Sequence, residues 1–171
     1  VGPAGRVIGV DMTADMISRA RQALGKTDFT NVEFRHGFAE NLPVEDASID
    51  VILSNCVLNL TTDKGLVFQN AYRVLRPGGR LEVSDIVTDI SFSPGSNKNA
   101  ALWADCIAGA LPEGEYLSLM AQAGFEGITI KKKVTAGEGE GTRVFSITVS
   151  ALKPVLENIN KGGCACSCGQ S

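Results

Sequence analysis

The chain has 171 residues, 44% of them hydrophobic, with seven Phe, one Trp and two Tyr, which suits one α/β domain with a real core and excludes a second of comparable size. Sixteen Lys and Arg against nineteen Asp and Glu give a formal charge of −3, so there is no basic stripe for nucleic acid. No apolar run reaches the roughly 20 residues that span a bilayer, and no secretory leader is visible. Five cysteines, an odd number, do not make a paired disulfide framework and fit a reducing cytoplasm better.

Taken in chain order, Val7–Met12 (VIGVDM) is a short apolar run ending at an acidic residue, the pattern of a buried parallel strand. Thr13 is placed to cap a helix in which Met16, Ile17, Ala20 and Leu24 recur, with Gly25 at its end. Val32–His36 reads as a second strand. Ile49–Cys56 (IDVILSNC) has the strongest buried-strand pattern.

Asp63 opens a helix with Val67, Phe68, Ala71, Val74 and Leu75 on one face, and Arg76–Gly79 (RPGG) stops it. Arg80–Val87 supplies the next strand. Helical patterns follow over Ala100–Ala110 and Glu113–Ala123, the latter closed by Gly124. Ile128–Val134 and Arg143–Val149 alternate as the strands of a hairpin joined by Thr135–Thr142. The alternation predicts a mostly parallel sheet covered by helices, ending in that hairpin. The basic run Lys131–Lys133 reads as a solvated edge, and Gly162–Ser171 as a polar tail outside the core.

Ligands of such sheets bind at the C-terminal ends of the parallel strands. Asp11 stands at such an end, where a carboxylate can accept two hydrogen bonds from a ribose or cap the next helix. Phe38, Ala39 and Glu40 occupy the loop after the second strand, able to pack on a flat base or simply to meet solvent. Asn55, at another strand tip, carries an amide that must find partners or water. Cys56 beside it and Cys106 in the next helical stretch are either ordinary core thiols or soft ligands for a thiophilic centre. Cys164, Cys166 and Cys168 form a C-x-C-x-C run without the spacing of zinc sites, either a thiol cluster or incidental cysteines. His36 has no nucleophile partner in the sequence.

Val7–Arg21, Asn31–Leu60, Val74–Val87 and Trp103–Phe125 together resemble the arsenite methyltransferase family. RPGG and the Asp-ending strand are shared by many methyltransferases, whereas SNCVLNL with CIAGAL is much narrower. The resemblance implies a Rossmann-like class I methyltransferase fold over residues 1–150, with 151–171 as a C-terminal extension. It implies S-adenosylmethionine as cofactor, held by Asp11, Met12, Phe38, Ala39, Glu40 and Asn55. It also implies Cys56 and Cys106 as the thiolates that hold As(III) while it is methylated, with a thiol reductant such as glutathione or thioredoxin as co-substrate. A cytoplasmic monomer serving arsenic detoxification, with no nucleic-acid or membrane partner, completes that expectation. Two alternatives keep the residues and change the outcome: a methyltransferase for another small molecule, or a metalloid-binding module without catalysis.

The family's first strand and glycine-rich loop have no counterpart before Val7, where only Gly2–Gly5 (GPAG) stands. In the usual sheet that strand separates the strands corresponding to Val7–Met12 and Ile49–Cys56. The expectation is therefore that the chain is part of a longer protein, or that these two strands close the gap by pairing directly.

Overall fold

The computed structural model describes residues 1–91, 107, 109–139 and 142–155. Strand β1 (Val7–Asp11), helix α1 (Ala14–Leu24) and strand β2 (Val32–His36) form a first unit, with β1 and β2 parallel from Val7↔Val32 to Asp11↔His36. Strand β3 (Ile49–Asn55) leads through a 3-10 turn (Leu58–Leu60) into α2 (Lys64–Val74) and β4 (Leu75–Thr88). Helix α3 (Glu113–Gln122), β5 (Glu126–Gly139) and β6 (Thr142–Leu152) complete the described elements.

The second sheet has the order β3-β4-β6-β5, with β3 and β4 parallel and the pairs involving β6 antiparallel. Its core lies on one face of β4 and β6. Leu81, Val83 and Val87 alternate along β4, and Ile147, Val149 and Ala151 along β6. Phe68 and Ala71 of α2 and Tyr116 and Met120 of α3 cover them. The Phe68 and Tyr116 rings meet edge to face with centroids 5.3 Å apart, a geometry aromatic pairs favour.

Four sequence expectations are corrected. β1 and β3 do not pair; β1–β2 is a sheet of its own. The loop between β2 and β3 is tied instead to α2, where Asn70 donates to the Glu40 carbonyl and Arg73 to those of Leu42 and Val44. Ala47 N–H and Ser48 N–H donate back to the Arg73 and Val74 carbonyls. Second, β3 is less buried than its composition suggests, with Leu53 76% exposed, because among the described residues it has a strand neighbour on one side only.

Third, RPGG belongs to β4: Gly78 N–H donates to the Lys153 carbonyl and Lys153 N–H to that of Gly79, so backbone pairing carries the strand through this bend. Fourth, Thr135–Gly139 lies within β5, because its backbone pairs with β6 although residues 135–138 are exposed. Of the helix expected over Ala100–Ala110, only Ile107, Gly109 and Ala110 fall among the described residues; they form a turn closed by Ala110 N–H on the Ile107 carbonyl. No helix among the described residues is long and apolar enough to cross a membrane.

Candidate active site

Asp11 closes β1, half-buried, and its Oδ1 accepts a 2.7 Å hydrogen bond from Thr13 N–H. Thr13 itself caps α1 by position alone, with no side-chain hydrogen bond. Met12 is exposed beside Asp11, and its carbonyl lies 2.9 Å from His36 Nε2. His36 thus joins the ends of β1 and β2, a structural contact rather than a nucleophile arrangement.

The loop after β2 turns through an isolated Phe38↔Asn41 bridge. Phe38 is exposed with its ring edge-on to His36, Ala39 packs against the main core, and the Glu40 carbonyl is held by Asn70. Asp11, Phe38, Ala39 and Glu40 therefore stand on the C-terminal side of one parallel pair, with a carboxylate and an apolar shelf. That donor set fits the ribose and adenine of an adenosyl cofactor. A shallow depression of about 430 Å³, lined by Ala14, Ile17, Ser18, Arg21, Gln22 and His36, lies on the α1 side and includes none of these residues.

Asn55 and Cys56 stand at the end of the other parallel pair. Asn55 is exposed, and Cys56 is half-buried with Sγ 3.8 Å from Asn55 Oδ1. Cys56 has φ 55°, a left-handed conformation uncommon for a residue with a Cβ, and its N–H donates to the Ser84 carbonyl across 2.8 Å. The next turn is pinned by Asn59, fully buried, which donates from Nδ2 to the Ile86 carbonyl across 2.7 Å. Cys106, Cys164, Cys166 and Cys168 lie outside the described residues.

Beneath these loops is a buried polar group that the sequence did not single out. Asp85 on β4 accepts a 2.9 Å hydrogen bond from the Tyr116 hydroxyl of α3, near Lys64 at the start of α2. Burial pushes the Asp85 carboxyl up to about 6, against the lowering effects of the Tyr116 hydrogen bond and the Lys64 charge. Burial likewise lowers Lys64 and raises Tyr116. Asp85 Oδ1, Asn59 Oδ1 and Thr88 Oγ1 are buried without a hydrogen-bond partner among the described residues. The available signal was an Asp inside an apolar strand run; Asn70 and Arg73, which hold the loop after β2, showed only as polar positions on α2.

Residues 1–124 match the family described as Methyltransferase domain. An arsenite methyltransferase of Halobacterium salinarum is 41% identical over 92% of this chain and 43% of its own length. The human arsenite methyltransferase is 39% identical over 73% of this chain and 36% of its own. The chain thus spans less than half the length of these two curated relatives. The crystal structure of an arsenic(III) S-adenosylmethionine methyltransferase from Chlamydomonas reinhardtii superposes with a TM-score of 0.79 and 32% identity, covering 90% of this chain and 57% of that one. A parallel βαβ layout with its candidate residues at the strand ends, and a family match over most of its length, agree: the chain belongs to the methyltransferase-domain family and has the class I S-adenosylmethionine-dependent methyltransferase fold.

Proposed function

We propose that the protein transfers the methyl group of S-adenosylmethionine to trivalent arsenic, held by the thiolates of Cys56 and Cys106. The observation that carries this reading is Cys56: a half-buried thiol at the end of a parallel strand, in a left-handed backbone conformation at the edge where such folds bind ligands. Relatives described as arsenite methyltransferases support it.

When bound, S-adenosylmethionine supplies an electrophilic methyl group. Asp11 accepts hydrogen bonds from the ribose, Phe38 and Ala39 pack on the adenine beside Glu40, and Met12 and Asn55 flank the remaining contacts. Thiolates are soft ligands that hold As(III) and leave its lone pair exposed, so no general base is required. The protein's contribution is then mainly alignment of the two reacting centres. Arsenic arrives as arsenite or a thiol conjugate, and glutathione or thioredoxin serves as reductant. Cys164, Cys166 and Cys168 capture or pass on the metalloid, and the enzyme works as a cytoplasmic monomer without nucleic-acid or membrane partners. Residues 1–150 form the methyltransferase part, with 151–171 as an extension.

The test is methyl transfer from labelled S-adenosylmethionine to arsenite with glutathione, on this chain and on one extended at its N-terminus. Cys56→Ser and Cys106→Ser should each lower turnover by about 100-fold or more. Turnover of a small organic acceptor that survives both substitutions would favour the other methyltransferase reading. That reading has its own support in a demethylmenaquinone methyltransferase of Lactococcus lactis, 41% identical over 47% of this chain. Arsenic binding without transfer in either chain would favour the non-catalytic module.

A further inference from the structure

The turn after β2 is held from two sides. Gly37 N–H donates to the Asp11 carbonyl across 3.0 Å, and Asn41 N–H closes the turn on the Phe38 carbonyl at 3.1 Å. A Cβ on Gly37 would sit 2.7 and 2.8 Å from atoms of the Pro43 ring, so the loop folds back against its own first residue. Pro43 is fixed in turn by Arg35 of β2, which donates to its carbonyl across 2.6 Å.

The other side is α2. Asn70 and Arg73 are 3 positions apart on that helix and share a face. Asn70 donates from Nδ2 to the Glu40 carbonyl and, at 3.2 Å, to the Leu66 carbonyl of its own helix. Its Oδ1 accepts from Arg73 Nε and Nη2 at 3.3 and 3.2 Å. The rest of the guanidinium donates to the Leu42 and Val44 carbonyls at 2.9 and 3.0 Å and to the Asp46 carboxylate. Every donor of the pair is engaged, so neither side chain can turn without breaking a bond.

What this clamp holds is backbone, and it leaves one charge unengaged. Glu40 is half-buried, and its carboxylate makes no hydrogen bond or ion pair among the described residues. A partly desolvated carboxylate on a fixed backbone is an acceptor waiting for a donor.

We propose that Asn70 and Arg73 are specificity-determining positioning residues: by holding the Glu40 and Leu42 carbonyls on α2, they set the Glu40 carboxylate where it accepts the amino group of the cofactor's adenine. Base choice is then fixed from a helix that does not touch the cofactor. The inference rests on the cofactor reading proposed above and adds residues to it.

The test titrates S-adenosylhomocysteine and S-inosylhomocysteine by calorimetry, on this chain and on one extended at its N-terminus. The inosyl compound carries a carbonyl in place of the adenine amino group and is otherwise nearly the same shape. The parent should prefer the adenosyl compound by about tenfold or more, as expected for a hydrogen bond to a charged group. Asn70→Ala should weaken the adenosyl compound by about tenfold, because the loop must then be ordered on binding. The same variant should shrink the base preference to about twofold or less. Asn70→Asp keeps an acceptor for Arg73 but removes the donor to Glu40, and should behave in the same way.

Equal weakening of both compounds with the preference kept is what a smaller folded fraction gives, and it overturns the inference. Parent-like affinity and preference in both variants overturn it as well, as does a parent without base preference. If Asn70→Asp does not fold, Asn70→Ala decides. Asp11→Ala tests the cofactor reading separately and should weaken both compounds by a common factor, since they share the ribose. No binding by either parent, or parent-like binding by Asp11→Ala, overturns that reading first and this inference with it.

Discussion

Tyr116 of α3 donates its hydroxyl proton to Asp85 Oδ2 of β4 across 2.9 Å, with both side chains buried. The bond ties a helix to the strand that also anchors Cys56 through Ser84. It only partly offsets the cost of burying a carboxylate, and the Asp85 carboxyl stays raised from 3.8 to about 6.

A raised carboxyl means that the folded state holds its proton more tightly than the unfolded chain. The stability linked to Asp85 is therefore full below 3.8 and declines as pH rises to about 6. The decline amounts to about 3 kcal/mol. Asp85→Asn keeps an acceptor for Tyr116 and removes the titration. It should be more stable than the parent at pH 7 and gain little at pH 4, as read from urea midpoints. An equal difference at both pH values would sink this account.

Helix starts give a second comparison. Asp63 caps α2 by accepting from Leu66 N–H at 2.9 Å, whereas Thr13 precedes α1 with no side-chain cap bond. Asp63→Ala should cost about 1 kcal/mol, and Thr13→Ala under about 0.5 kcal/mol. Chemical denaturation of both variants checks the ranking.

Two glycines at opposite ends of α3 should respond with opposite signs. Nothing lies within 4 Å of a Cβ placed on Gly114, in the first turn, while Gly124 has φ +101° and would put a Cβ 3.0 Å from the Tyr72 ring. Gly114→Ala should raise stability by about 0.5 kcal/mol. Gly124→Ala should lower it by about 1 kcal/mol or more. Thermal melts of the pair would expose an error in either direction.

Cofactor affinity should depend on what lies between the two sheets. β1 pairs with β2 and β3 with β4, and among the described residues neither has a strand on its other side. An added upstream strand seated there should tighten S-adenosylmethionine binding by about tenfold or more in calorimetric titration. In that longer chain Asp11→Ala should lose about 1.5–3 kcal/mol of binding, the worth of hydrogen bonds to a charged group. Equal affinity with and without the extension would count against the idea.

Much of the site's placement was readable from local pattern. The apolar runs of β1 and β3, the α2 stripe and the Gly124 stop all follow from side-chain period and turn chemistry, which act over a few residues. They put Asp11, Asn55 and Cys56 at strand ends, where the structure has them. The Asp85–Tyr116 bond spans 31 positions, the Asn59–Ile86 bond 27 and the Arg73 ties to the loop after β2 29 and 31, and no local pattern encodes such pairs.

By itself the sequence determined where most of the described strands and helices lie and which ends carry a carboxylate, an amide and a thiol, because those choices depend on neighbours along the chain. Tertiary structure alone decided that β1 and β3 stay apart, that Leu53 is exposed, and that Asn70 holds the Glu40 carbonyl. Those outcomes depend on which backbone groups find partners across space.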